Sequence, residues 1–158
     1  MNHGHRDEET SYVKYFTKKK TGERMYPTDL LSKLNNIKAD QQLIVVDACY
    51  SGNFGRVIGT GNRMVLTSSD KGPSVYSRID QFSRSLFNAM VDSTSDENDD
   101  RKVTVAEAFS SGEKQRKPVL AQHQRSGHLA FQPVERFYGR VFNEQKSFPL
   151  YDLKGRVS

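Results

Sequence analysis

The residues able to do covalent or acid-base chemistry are unevenly placed. One cysteine, Cys49, stands against four histidines: His3, His5, His123 and His128. A thiol becomes a nucleophile when a base takes its proton, and a lone cysteine with a distant histidine is a recognised arrangement for acyl transfer. Cys49 lies in Leu43-Ile-Val-Val-Asp-Ala-Cys-Tyr-Ser-Gly52, and His3 in Asn2-His-Gly-His5, which reads as a glycine-containing turn. A free cysteine is often only a small buried hydrophobe, so the elements around these residues decide what they can do.

The apolar run Leu43 to Val46 predicts a buried parallel strand, and Ser51-Gly52 lets the chain turn beyond it. The thiol is therefore expected at the strand's carboxyl end, where open α/β sheets place their chemistry. Tyr12 to Phe16 and Arg24 to Tyr26 flank a lysine-rich turn with Thr21-Gly22 and predict a hairpin. A helix follows, with Thr28 as its cap, Asp29 at its positive end, and Leu30, Leu31, Leu34 and Ile37 at helical spacing. Arg63 to Ser69 predicts a second strand, and Phe82 to Val91 a helix with Phe82, Leu86, Phe87 and Met90 on one face. Gly52, Gly55, Gly59 and Gly61 are expected to form a loop bordering a cleft. His128 to Gln132 reads as the last sheet strand. Val134, Phe137, Tyr138, Val141 and Phe142 match a helical face, with an alternating strand as the other reading, and Phe148 to Tyr151 reads as an extended tail.

The order His3-Gly4, hairpin, helix, then an apolar strand ending in Asp47-Ala-Cys-Tyr-Ser-Gly52 resembles the caspase-like cysteine peptidases, nearest the metacaspase and legumain branches. The resemblance spans residues 2 to 132. It implies an α/β fold, a caspase-like three-layer α/β/α sandwich with a mostly parallel sheet. It also implies a core over residues 1–132 and an extension over 133–158 that packs on that core or on a partner. In such a site Cys49 attacks a peptide carbonyl, His3 protonates the departing amine and then activates water, and the amides of Gly4 and Cys49 hold the oxyanion. Glycine after the histidine leaves room for a carbonyl to approach that amide. The resemblance places Asp47 in the primary specificity pocket, implying cleavage after arginine or lysine, with Ser69 and Asp70 on the opposite wall. Asp47 capping a neighbouring turn is the structural alternative. A non-catalytic module with the same fold is the functional one.

In the resembling fold further strands precede the His-Gly turn, so the sheet is expected to be incomplete at its amino-terminal side. A complementing chain or a second copy of this chain would then complete it. The hydrophobic fraction of 35% is low for a self-sufficient core and points the same way.

A second constellation has calcium-loop spacing. Asp96, Asn98, Asp100, Lys102 through its carbonyl, Thr104 and Glu107 occupy the first, third, fifth, seventh, ninth and twelfth places, with Arg101 where the turn glycine belongs. The segment reads either as a weak or vestigial calcium loop or as a solvated acidic loop, and the peptidase chemistry itself requires no cofactor.

Rival chemistries fit less well. His3-x-His5 has no second ligand pair, the residues after Cys49 miss the phosphatase spacing, and the glycines lack a Gly-Lys-Ser/Thr nucleotide loop. A net charge of +5, with Lys18-Lys-Lys20 and the region from Lys114 onward carrying much of the excess, reads as a solvated basic surface rather than a nucleic-acid fold. No apolar run approaches a membrane span, and one cysteine suits a reducing compartment, so the expected location is cytoplasmic and the partner a peptide or protein substrate.

Overall fold

A computed structural model of the chain describes residues 3–6, 11–16, 22–72, 82–125 and 139–152. In chain order the elements are β1 (His3–Arg6), β2 (Ser11–Phe16), β3 (Gly22–Met25), α1 (Pro27–Asn35), β4 (Gln42–Val46), α2 (Gly52–Ile58), β5 (Arg63–Thr67), α3 (Phe82–Val91), β6 (Lys102–Thr104), α4 (Val105–Arg125), β7 (Arg140–Phe142) and β8 (Pro149–Asp152). The fold is α/β. Among the described residues no helix is long and apolar enough to cross a membrane.

The hairpin foreseen around Thr21-Gly22 is formed by β2 and β3, with Tyr15 opposite Glu23. His3-Gly4, expected in a turn, instead begins β1, which pairs antiparallel with β2 and sets His3 opposite Lys14 and Gly4 opposite Val13. A glycine marks a turn only where no neighbour offers a ladder, and β2 offers one. Buried Tyr12 joins this small sheet to α1, with its ring 5.7 Å from that of Tyr26 and the Arg24 guanidinium 4.5 Å above it. Helix α1 is capped by Tyr26, not Thr28. Pro27 takes the first helical position, where a missing N–H costs nothing, and the Asp29 carboxylate accepts the Tyr26 N–H at 3.0 Å.

The central sheet has the order β4-β5-β7. β4 and β5 are parallel with α2 as their crossover, and β7 runs antiparallel on the far side of β5. Side-chain alternation divides its strands between two cores. Ile44, Val46, Val65 and Phe142 pack with Leu34, Phe54 and Ile58 of α1 and α2. Leu43, Val45, Met64, Leu66 and Val141 pack on the other face with Phe82, Leu86 and Val105 of α3 and α4. Helices thus cover both faces. Val141 and Phe142 belong to a strand, and it is residues 140–142 that extend this sheet. The stretches 128–132 and 134–138 lie outside the described residues.

The anticipated glycine loop is largely helix, since Gly52 and Gly55 lie in α2. A Cβ at Gly55 would fall 2.1 Å from the Phe142 ring, so glycine here permits the close approach of α2 to β7. Helix α3 keeps its expected bounds, but Phe87 is 52% exposed: one residue beyond buried Leu86 turns about 100° away from the core. Helix α4 carries no regular apolar period in the sequence. Its inward positions include Val105, Ala108, Gly112, Arg116 and Leu120, so a glycine and an arginine interrupt the apolar period, and Pro118 adds a helix-breaking signal. The extended tail is β8, paired antiparallel with β6.

Candidate active site

Cys49 is half-buried in the turn between β4 and α2, past the carboxyl end of the parallel pair. Tyr50 takes φ +56°, a left-handed conformation costly for a residue with a Cβ, and α2 begins at Gly52. The arrangement is a strand-turn-helix elbow, and the strain at Tyr50 must be held by its surroundings.

Those surroundings are residues 68–72, which follow β5. The parallel ladder runs one rung past the strands, from Ser68 N–H to Val46 O at 3.1 Å, and side chains then replace backbone partners. The Ser68 hydroxyl accepts the Ala48 N–H at 3.0 Å and donates to the Ala48 carbonyl at 3.2 Å. The Ser69 hydroxyl donates to the same carbonyl at 3.2 Å. Ser51 Oγ accepts the Ser69 N–H at 3.2 Å and donates to its carbonyl at 3.1 Å. Tyr50 N–H donates to Gly72 O at 2.8 Å and Gly52 N–H to Asp70 O at 3.2 Å. All three serines are fully buried. A Cβ at Gly52 would lie 2.6 Å from Asp70 O, so this clasp closes only on glycine.

Several side chains assigned to a substrate pocket have structural partners. Asp47 Oδ2 accepts the Ser83 N–H at 3.2 Å and the Ser83 hydroxyl, capping the first turn of α3, which is the structural alternative foreseen for it. Ser69, expected on a pocket wall, is instead a buried peg under Ala48. The Asp70 carboxylate accepts from Arg56 of α2 and lies 3.6 Å from Arg140 Nε of β7, so it joins two elements. His3 and Gly4 are in the antiparallel β1–β2–β3 sheet, not in a turn. The His3 side chain lies outside the described residues.

Sequence reasoning missed Ser51, Ser68, Ser83, Arg56 and Arg140. The legible signal was Thr67-Ser-Ser69, three small hydroxyl residues directly after an apolar strand, a composition suited to replacing ladder partners where strands part. A separate cavity of about 600 Å³ lies between α4 and β7, lined by Phe109, Glu113, Lys114, Lys117, Arg140 and Val141. Its Arg140 also lies beside Asp70.

In the acidic loop Asp99 and Arg101 are left-handed, at φ +57° and +67°. Asp96 Oδ2 accepts the Arg101 N–H, Asn98 Oδ1 that of Asp100, and Asp100 Oδ1 that of Lys102, each at 2.9 Å. Glu107 Oε2 accepts the N–H of Thr104 at 2.9 Å and its hydroxyl at 2.8 Å. Asp96 Oδ1 and Glu107 Oε1 are buried without a hydrogen-bond partner. Lys114 donates to Glu97 at 2.9 Å and holds that carboxyl below its ordinary pKa. Among the described residues no three His, Cys, Asp or Glu side chains are grouped to hold a metal ion.

No protein-family model, curated protein or solved structure matches the chain.

Proposed function

We propose that the chain is a cysteine endopeptidase with a caspase-like sandwich fold. The observation that carries this reading is the elbow, with a half-buried thiol on a strained, clasped turn at the carboxyl edge of a parallel strand pair. The mixed sheet with helices on both faces supports the fold assignment. In this reading His3 takes the Cys49 thiol proton, Sγ adds to the peptide carbonyl carbon, and the amides of Cys49 and Gly4 stabilise the oxyanion. The C–N bond then breaks, and the amine leaves with a proton from His3. Water, deprotonated by His3, attacks the thioester and releases the acid and the thiol. Asp47 favours arginine or lysine before the cleaved bond. Its engagement with Ser83 does not exhaust a carboxylate, which has about four acceptor sites.

Covalent labelling with a peptide acyloxymethyl ketone ending in arginine tests this. The native chain is expected to gain one adduct at Cys49, and Cys49→Ala none. No adduct on folded native protein overturns the reading. The engagement of Asp47 by Ser83 and of Asp70 by two arginines favours the rival, a non-catalytic module of the same fold, and that result would select it. We propose the 96–107 loop as a weak calcium site on its ligand spacing and on the buried oxygens of Asp96 and Glu107 that lack a hydrogen-bond partner.

A further inference from the structure

We propose that Ser68 and Ser69 are positioning residues that polarise the oxyanion-binding amide of Cys49; the inference rests on the peptidase reading. The Ala48 carbonyl and the Cys49 N–H are the two ends of one peptide unit. That carbonyl accepts two hydroxyl donors, Ser68 Oγ and Ser69 Oγ, both at 3.2 Å. Hydrogen bonds to an amide oxygen draw electron density from its nitrogen, so the N–H at the other end becomes a stronger donor. Both serines are fully buried, where water does not compete and the effect is least screened.

A single hydroxyl on the Ala48 carbonyl would satisfy it. Ser68 already supplies that bond, and its oxygen also accepts the Ala48 N–H at 3.0 Å, which anchors the preceding peptide plane. Ser69 adds a second donor to the same atom. Ser51 fixes Ser69 in turn by bonding its N–H and carbonyl, so the second donor is held in place. The strain at Tyr50 turns the chain immediately after the polarised unit. The clasp therefore orients the Cys49 amide and charges it before substrate arrives, which is where preorganised electrostatics contribute most to acyl transfer.

Ser68→Ala and Ser69→Ala, each with thermal unfolding to establish folding, are the test, read in three ways. Turnover of an arginyl peptide amide should fall roughly two- to eight-fold in kcat with KM little changed, from a 10–30% weakening of an oxyanion bond. Alkylation of Cys49 by iodoacetamide, which forms no oxyanion, should keep its native rate. The one-bond coupling between the Ala48 carbonyl carbon and the Cys49 nitrogen, measured by NMR, should change in both variants. A native coupling in the folded variants overturns the proposal, as does equal loss of alkylation and turnover, which would mean that the serines only place the thiol. If the native chain turns over no peptide, the peptidase reading falls and the catalytic role with it, while the coupling still reports the polarisation separately. Should Ser69→Ala not fold, Ser69→Thr, which keeps the hydroxyl, must retain native coupling and kcat for the proposal to stand.

Discussion

At the scale of single residues, Asp47 carries two separable roles. As a cap it needs only an acceptor for the Ser83 N–H and hydroxyl; as a specificity determinant it needs its charge. Asp47→Asn keeps an acceptor and removes the charge. The expected outcome is nearly native thermal stability with a large loss of cleavage after arginine, whereas Asp47→Ala should also cost about 1 kcal/mol of stability. Matched melting curves and a peptide-library profile would decide it. Equal loss of stability and activity in Asp47→Asn would leave Asp47 as a cap alone. The buried pair on α4 makes a second residue-scale case. Arg116 is 1% exposed, paired with Glu113 and 5.2 Å from the Phe82 ring centre, while Glu113 also accepts the Gly139 N–H at 3.1 Å. Arg116→Ala strands a buried carboxylate and should destabilise by about 3–5 kcal/mol in urea unfolding. Glu113→Gln with Arg116→Met should cost less, because no charge is left uncompensated. A larger loss in the double variant would refute the electrostatic account.

At the scale of elements, the loop from Asp96 to Glu107 has calcium-loop spacing in its sequence and a turn that resists a cation. Arg101 at φ +67° lacks glycine's freedom and brings positive charge to the centre of the loop. Calorimetric titration of the native chain with calcium should give only low affinity. Arg101→Gly should bind more tightly and raise apo-protein stability by about 1 kcal/mol, since it relieves the left-handed strain. Absence of calcium-dependent heat in either version would reduce the loop to a connector between α3 and β6.

For the whole molecule, the sheet has an open side among the described residues, because β4 pairs only with β5. Leu43, Ile44 and Val45 on that strand are half-buried rather than buried. An edge strand rich in β-branched residues invites pairing with another chain. The protein is therefore expected to self-associate with rising concentration, and a lysine at Ile44 should suppress this. Size-exclusion chromatography with light scattering over a hundred-fold concentration range checks it. A monomer throughout would mean that the edge is protected.

Features that depend on neighbours within a few residues were readable from the chain alone. The strand at Leu43–Val46, the thiol just beyond it, the β2–β3 hairpin, the bounds of α3 and the calcium-loop spacing all follow from local periodicity and turn chemistry. What the side chains of the site do depended on residues far away. Asp47 meets Ser83 across 36 positions, Ser68 meets Ala48 across 20, and Thr67 meets Arg140 across 73. A carboxylate or hydroxyl has the same local signature whether it faces a substrate, a helix end or a backbone carbonyl, so only the packed fold assigns its partner. The same reason hid α4, whose inward face carries Arg116 where a period-based reading requires an apolar side chain. The Phe82 ring of α3, 5.2 Å from that guanidinium, helps the Glu113 carboxylate make the position habitable.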